Sequence, residues 1–221
     1  ENEYLRKIGF PDNINGILVT TSEVEINNPN LNPQKENSTF GKILFFDFFK
    51  KKKVIYSKGH RNPQGLLVDN DKGVILSTEH GPRGGDEINN IKFNKNYGWP
   101  ISSYGKRYLK NEKNLDLKFE ENHLKNNYEE PIFSFIPSIG ISEIIKIPNT
   151  FSSEWQDNYF ITSLNYKSIY RIKFSHDFSK VLYLEKIYIG NRIRDIKYHK
   201  KMKLFILSLQ ETSQLGFLYV R

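Results

Sequence analysis

Apolar and polar positions alternate along this chain in short runs, and the runs recur in groups of four. A two-residue period predicts β-strands that direct alternate side chains to a core. The first strand of each group is predicted at 6–10, 64–70, 141–147 and 192–198, and the second at 17–22, 74–79, 159–164 and 204–209. The third is predicted at 42–48, 87–93, 168–174 and 216–221. A fourth strand at 54–59, 131–135 and 181–187 completes the first three groups only.

Four strands per group, with turn sequences such as PDN, DNDKG and QDN between them, are typical of the antiparallel blades of a β-propeller. We predict an all-β propeller of about four blades, forming a single domain over 1–221, with units at approximately 6–59, 60–135, 137–190 and 191–221. Residues 1–5 are a possible closing strand, because they would cover the open edge of the last unit. A β-sandwich is the alternative, and the 107–130 insert is the candidate for helix.

Strand order predicts that separated loops meet at one end of the blades. In an antiparallel blade, the loop entering the first strand and the loop joining the second to the third share a face. The residues predicted on that face are Glu23, Arg61, Asn62, the loop 80–86, Pro137, Ser138, Asn165, Arg192 and Arg194. We therefore predict one funnel assembled from distant segments.

The predicted funnel is rich in arginine, which presents fork-like donors to planar anions. A ligand with several carboxylates or carbonyls fits such a site. Alternatively, Arg192 and Arg194 form structural ion pairs with Asp195 and Asp86. The Gly81-Pro82 segment offers backbone carbonyls, which Ca²⁺ accepts as ligands. His80 is a candidate acid–base group, although a lone loop histidine is also compatible with a merely polar role.

Composition narrows the classes of partner. Apolar residues make up 38 % of the chain, enough for a core, and 33 Lys and Arg against 25 Asp and Glu give a net charge of +8. That charge is compatible with an anionic partner, but the run Lys50–Lys53 is typical of a solvated turn. Basic and aromatic residues do not interleave as in nucleic-acid-binding motifs, so no nucleic acid is predicted. No apolar run predicts a membrane span, no signal peptide opens the sequence, and the lack of cysteine excludes thiolate metal sites.

Several ordered motifs resemble one known family. GHRNPQGL (59–66), STEHGPRGGDEINNI (77–91) and NYGWPISSYG (96–105) are similar to the soluble pyrroloquinoline quinone (PQQ) dependent sugar dehydrogenases, also called the glucose/sorbosone dehydrogenase family. The likeness is strongest to the aldose branch and continues in FPDNINGILVTTSE (10–23), PIFSFIPSIGIS (131–142), WQDNYFITSL (155–164) and NRIRDIKY (191–198). The resemblance implies a six-bladed propeller, with PQQ and Ca²⁺ on its top face, in a periplasmic or secreted protein.

The resemblance also assigns roles to matching positions. It implies that Arg61 and Asn62 contact PQQ, that Arg192 and Arg194 hold its carboxylates, and that the carbonyls of Gly81 and Pro82 ligate Ca²⁺. The further pocket positions that match are His80, where some members have Gln, Asp86 and Ser138. The implied chemistry is hydride transfer from the sugar C1 to the quinone C5, while a histidine base takes the hydroxyl proton.

The sequence departs from the family in ways that affect function. It begins where the third blade would, so about two blades and the catalytic histidine are expected outside it, and no histidine here matches that base. Asn165 stands where some members have Lys, Ile136 replaces a Trp, and Glu23 replaces an Asp. A fragment of a six-bladed enzyme and a small four-unit propeller both stay open. We predict a PQQ- and calcium-dependent sugar dehydrogenase-like protein, with a homodimer as the candidate assembly; the alternative is a non-catalytic propeller that binds a ligand or a protein on its top face.

Overall fold

The alternating runs of the sequence form β-strands throughout the computed structural model, which describes residues 5–12, 15–23, 31–106, 119 and 122–220. In chain order the strands are β1 (Leu5–Gly9), β2 (Gly16–Thr21), β3 (Lys42–Asp47), β4 (Lys52–Lys58), β5 (Pro63–Asp69), β6 (Val74–Glu79), β7 (Asp86–Asn90), β8 (Lys95–Asn96), β9 (Phe133–Phe135), β10 (Ile141–Lys146), β11 (Asn158–Ser163), β12 (Ser168–Phe174), β13 (Val181–Tyr188), β14 (Ile193–His199), β15 (Leu204–Leu209) and β16 (Gln214–Leu218). Short 3-10 helices lie at Asn32–Gln34 and Leu124–Asn126.

These strands form four sheets in the predicted grouping. Their orders are β1-β2-β3-β4-β8, β5-β6-β7-β9, β10-β11-β12-β13 and β14-β15-β16. Neighbouring strands are antiparallel except for β4 and β8, which pair in parallel over two residues. The all-β class and the four-strand repeat are therefore confirmed, including a last sheet of three strands within the described residues. Strand β8 was not predicted, because a two-residue parallel pairing leaves no periodic pattern in the sequence.

Two predictions fall largely on residues outside the described part. The closing strand 1–5 includes Glu1–Tyr4, which are not described, whereas Leu5 begins β1 and pairs with Thr21 of β2. The insert predicted as possible helix includes 107–118 and 120–121, which are also not described. No described helix is long and apolar enough to cross a membrane.

The strands cluster into two compact units, Glu1–Ser138 and Ile139–Arg221. Each has its own core of inward-facing side chains. The first core contains Leu18, Ile43, Leu66, Ile91 and Tyr97. The second contains Ile147, Phe151, Phe160, Ile169, Ile193, Ile196, Phe205 and Leu207. The first unit also contains the dense loop between β6 and β7, together with the Arg61-Asn62 pair that precedes β5.

Candidate functional site

The loop between β6 and β7 folds back tightly on itself, and two glycines make this possible. A Cβ on Gly81 would lie 2.1 Å from the carbonyl oxygen of Gly85, so only glycine allows this approach. Gly85 has φ of +69°, a left-handed conformation that favours glycine. Asp86 accepts a hydrogen bond from Gly81 N at 3.1 Å, and Gly85 N donates to Phe135 O at 3.0 Å. The loop is thereby held in one shape against β9.

Arg61 is the central side chain of the site. It is only 9 % exposed, and its Nη1 donates to the carbonyl oxygens of His80 at 3.0 Å and Gly81 at 2.8 Å. Its guanidinium carbon lies 5.3 Å from the ring centroid of Trp99, a cation–π distance. The neighbouring Asn62 accepts from His80 N through its backbone carbonyl at 3.0 Å. The arginine therefore connects the dense loop to an aromatic surface.

Trp99 is held in turn by two residues of the connection between β2 and β3, Glu23 and Gln34. Its indole Nε1 donates to the buried carboxylate of Glu23, whose backbone N donates to Arg61 O at 2.8 Å. Gln34 Nε2 donates to Trp99 O at 2.6 Å and exchanges amide hydrogen bonds with Asn96. The ring beside the arginine is thus fixed by the β2–β3 connection as well as by its own loop.

A buried histidine, His60, links strand β4 to the end of strand β6 beside Arg61. His60 is fully buried; its Nδ1 lies 2.6 Å from Glu79 Oε1 and its Nε2 lies 2.8 Å from Ser57 Oγ. The imidazole stacks on Tyr97 with ring centroids 4.6 Å apart. Glu79 Oε2 also accepts from Arg61 N at 3.2 Å. These contacts give His60 a positioning role for the Arg61 backbone.

Two glutamates stand opposite each other across β6 and β7. Glu79 and Glu87 are direct cross-strand partners, and Asn89 Nδ2 bridges them at 3.1 Å from Glu79 Oε1 and 3.3 Å from Glu87 Oε2. Burial, followed by repulsion from the Glu79 carboxylate, raises the pKa of Glu87 to about 8. Like charges directly opposite in a sheet are destabilising. A perturbed acid of this kind in a pocket is common at functional sites.

Several of these groups line one pocket that opens to solvent. Of the predicted site residues, Arg61, His80, Gly81 and Pro82 lie in its wall. The wall residues that sequence reasoning missed are Gly59, Glu79, Glu87, Tyr97, Trp99, Ser102 and Ser103. Their signal was present, since all of them fall inside the motifs 59–66, 77–91 and 96–105. Nothing in the local sequence pattern, however, distinguishes these seven residues from ordinary strand and loop residues.

The other predicted residues of the first unit do not line the pocket. Asp86 is 2 % exposed and binds the loop backbone. Asn62 Oδ1 accepts from Gln64 Nε2 at 2.7 Å. Ser138 Oγ is buried and has no hydrogen-bond partner among the described residues. A buried hydroxyl of this kind is a position that a polar ligand atom can satisfy.

The predicted residues of the second unit have their own contacts. Arg192 Nε and Arg194 Nη2 share one acceptor, Gln210 Oε1, at 3.4 and 3.0 Å. Asp195 Oδ1 accepts from Ile196 N at 2.8 Å. Asn165 N donates to Ile139 O at 3.0 Å. That Arg192 and Arg194 converge with Arg61 on one ligand stays a prediction.

Carbonyl oxygens, rather than side chains, are the candidate metal ligands. Within the part of the chain that the structure describes, no group of three or more His, Asp or Glu side chains is arranged to hold a metal ion. The Gly81 carbonyl that was predicted as a Ca²⁺ ligand accepts from Arg61. A carbonyl oxygen has a second lone pair, so this contact still leaves Gly81 able to ligate a cation.

Comparisons with known proteins identify the family of the chain. The sequence model of the family described as Glucose / Sorbosone dehydrogenase matches residues 13–216. The chain is 31 % identical over 163 residues to the aldose sugar dehydrogenase YliI of Escherichia coli, covering 73 % of this chain and 42 % of that protein. It is 31 % identical over 139 residues to quinoprotein glucose dehydrogenase B of Acinetobacter calcoaceticus, covering 61 % of this chain and 26 % of that protein.

The fold comparison gives the same result. The crystal structure of the soluble aldose sugar dehydrogenase of Escherichia coli in the apo form superposes with a TM-score of 0.79 at 26 % identity. The match covers 97 % of this chain and 63 % of that chain. The fold class is accordingly the β-propeller, with four blade-like sheets among the described residues. The chain spans about two fifths or less of the curated relatives and about two thirds of the solved structure.

Proposed function

Because the chain belongs to the glucose/sorbosone dehydrogenase family, we propose that its pocket is the PQQ-binding part of a sugar dehydrogenase. One observation carries this proposal. Arg61, a nearly buried cation with a planar donor fork, lies against Trp99 in the pocket wall. A planar anionic quinone is the ligand chemistry that an arginine beside an aromatic ring is suited to receive.

The residues present fit an anionic cofactor. Arg61 supplies positive charge where side-chain packing excludes most water. The buried Ser138 hydroxyl, which has no hydrogen-bond partner among the described residues, is proposed as a further contact to the cofactor. Arg192 and Arg194 are proposed to hold further carboxylates, and Asn62, His80 and Asp86 to complete the cofactor contacts. Two carboxylates in the same wall would oppose an anion if both were ionised. The raised pKa of Glu87 reduces that opposition at neutral pH, because the residue is then mostly protonated.

Calcium belongs to the same proposal. We propose that the Gly81 and Pro82 carbonyls ligate Ca²⁺, because the folded-back loop presents backbone oxygens and hard cations bind oxygen. Arg61 then holds the Gly81 carbonyl in place from one side. The tight approach of Gly81 to Gly85 keeps the loop in the shape that such ligation requires.

PQQ, when bound, supplies the hydride acceptor for oxidation of a sugar C1 hydroxyl. This chain's residues bind and orient: Arg61 pairs with the anion, and the Trp99 ring limits its position. His60 and His123 are buried and hydrogen-bonded to Ser57 and Ser102, respectively, and neither lines the pocket. His80 lines the pocket and is the proposed acid–base candidate on this chain.

The same proposal extends to the whole protein. We propose that it oxidises an aldose, that it is periplasmic or secreted, and that it forms a homodimer.

The second candidate function is a non-catalytic propeller that binds a ligand or protein on its top face. The observation that favours it is that the buried histidines His60 and His123 are hydrogen-bonded to serines and do not line the pocket. The two functions differ in turnover but share ligand binding. Reduction of a redox dye with an aldose would therefore support the enzyme, and binding without dye reduction would support the second function.

The test of cofactor binding is a titration of the protein with PQQ, in Ca²⁺ and then in chelator, followed by cofactor absorbance and tryptophan fluorescence. We expect micromolar or tighter binding, weakened at least about tenfold by Arg61→Ala and by Arg192→Ala, since a charge-assisted hydrogen bond contributes about 1.5–3 kcal/mol. Arg83→Ala is the matched control, because Arg83 lies in the same loop with an exposed side chain. Absence of binding, or equal loss in the control, would refute the proposed site.

A further inference from the structure

The tip of the β3–β4 hairpin, Phe48–Lys53, has an unusual surface. Phe48 is 55 % exposed and Phe49 is 83 % exposed, and the four lysines that follow them are exposed as well. A single exposed phenylalanine needs no explanation. Two adjacent rings directed to solvent, followed at once by four cations, form a surface that is apolar at its point and strongly basic beside it.

The backbone presents this tip in a defined way. Phe48 N donates to Asn15 O at 2.9 Å, and Lys50 N donates to Asp47 Oδ1 at 2.8 Å. Asp47 pairs with Lys52 across the hairpin, and Lys51 takes a left-handed φ of +49° that completes the turn. The rings are therefore exposed because the turn places them outside the sheet, not because the segment lacks structure.

We propose that the tip docks on an anionic lipid surface, with the two phenyl rings at the boundary between headgroups and acyl chains. Aromatic rings insert at that depth, and lysine side chains keep their ammonium groups among the headgroups while their stems cover apolar surface. Basic clusters are attracted to anionic leaflets. The chain's net charge of +8 adds to that attraction. A duplex nucleic acid would use the lysines but would leave the exposed phenyl pair without a role, because its bases are stacked inside the helix; a single strand would stack its bases on the rings, and the oligonucleotide test below distinguishes it.

The position of the tip is compatible with a working pocket. Strand β4 begins at the tip with Lys52 and ends at Lys58, next to Gly59 in the pocket wall. Seven residues at about 3.3 Å each separate the two ends by roughly 20 Å. A lipid surface in contact with the tip would thus meet the opposite end of this strand from the pocket. The inference does not depend on the proposed cofactor.

The test is co-sedimentation with vesicles of phosphatidylcholine alone and of phosphatidylcholine with phosphatidylserine. We expect binding to the anionic vesicles only, weakened by salt. Replacing Lys50–Lys53 by glutamine should weaken it at least about tenfold, since each lysine contributes about 1 kcal/mol near the surface. Phe48→Ser with Phe49→Ser should weaken it by a similar factor. A Phe49→Trp variant should show a blue shift of fluorescence on anionic vesicles that a purely electrostatic contact would not cause.

The matched control is the β14–β15 turn, which exposes Lys200, Lys201 and Met202. Replacing these three residues by glutamine, glutamine and serine should weaken vesicle binding less than either tip variant does, because it leaves the phenyl pair and the four lysines of the tip in place. Three results would each overturn the proposal: no vesicle binding, unchanged binding of the double serine variant, or equal loss in the control. Binding of a DNA oligonucleotide in place of vesicles would assign the lysines to a polyanion instead. Circular dichroism of each variant would verify that the exposed substitutions leave the fold intact.

Discussion

The replacement Glu87→Gln tests the carboxylate pair in the pocket wall. Glu79 and Glu87 face each other across β6 and β7, and burial with the nearby Glu79 charge raises the pKa of Glu87 from 4.5 to about 8. Glutamine is nearly isosteric and keeps an oxygen for Asn89 Nδ2. The variant therefore removes the titration while retaining the shape and the bridging hydrogen bond.

The sign of the effect follows from proton binding. The folded protein binds a proton at Glu87 more tightly than the unfolded chain does, so this residue stabilises the fold below pH 4.5. The contribution is lost progressively as the pH rises to 8. A shift of about 3.5 pH units at about 1.4 kcal/mol each sets an upper bound of about 5 kcal/mol. Glu87 is partly exposed to solvent, which screens its charge, so we expect a loss on the order of 2–3 kcal/mol.

Urea denaturation from pH 5 to 9 measures this prediction. The free energy of unfolding of Glu87→Gln minus that of the wild type should increase by about 2–3 kcal/mol across this range. Glu129→Gln is the matched control: the Lys92 and Lys95 ammonium groups overcome partial burial and lower the pKa of Glu129. Its difference from the wild type should be constant over the same pH range. A Glu87→Gln difference that stays flat or falls with pH would refute this account of the pair.

Two further substitutions test the loop and the second core. Gly81→Ala should displace the loop, abolish PQQ binding and lower the free energy of unfolding by about 2–3 kcal/mol, because the new Cβ would meet Gly85 O. Its control is Gly73→Ala, which has open space around it. That variant should leave binding unchanged and lower the free energy of unfolding by about 1 kcal/mol, because Gly73 has a left-handed φ of +66°. Phe205→Ala should cost about 3–5 kcal/mol in urea denaturation because the ring is fully buried, whereas Phe217→Ala, 57 % exposed, should cost less than about 1 kcal/mol. Equal losses within either pair would contradict the packing described here.

Most of the strands could be predicted from local pattern. Strands such as 74–79, 168–174 and 204–209 match their predicted bounds, because alternation of apolar and polar side chains is a property of neighbouring residues. The last predicted strand, 216–221, is observed at Gln214–Leu218. Strand ends depend on turns and pairing partners, which a periodic pattern specifies poorly.

The candidate site was predictable only in part. Arg61, His80, Gly81 and Pro82 stood out because loops dense in glycine, proline and charge are uncommon. Glu79 and Glu87 did not, since each is an ordinary polar residue in a strand until the register of β6 with β7 places them opposite each other. Trp99 lies within the motif 96–105, but its contact with Arg61 joins residues 38 positions apart in sequence and leaves no local pattern.

The sequence by itself determined the secondary structure, the order of four blade-like units and the loop that forms the pocket wall. These features follow from the spacing of side chains along a strand and from backbone conformations that only certain residues adopt. The tertiary structure alone decided that a guanidinium lies against an indole, that two carboxylates share one amide, and that two phenyl rings face solvent beside four lysines. Each of these depends on which strands pair and in which register, and pairing is set by the whole core rather than by any one segment.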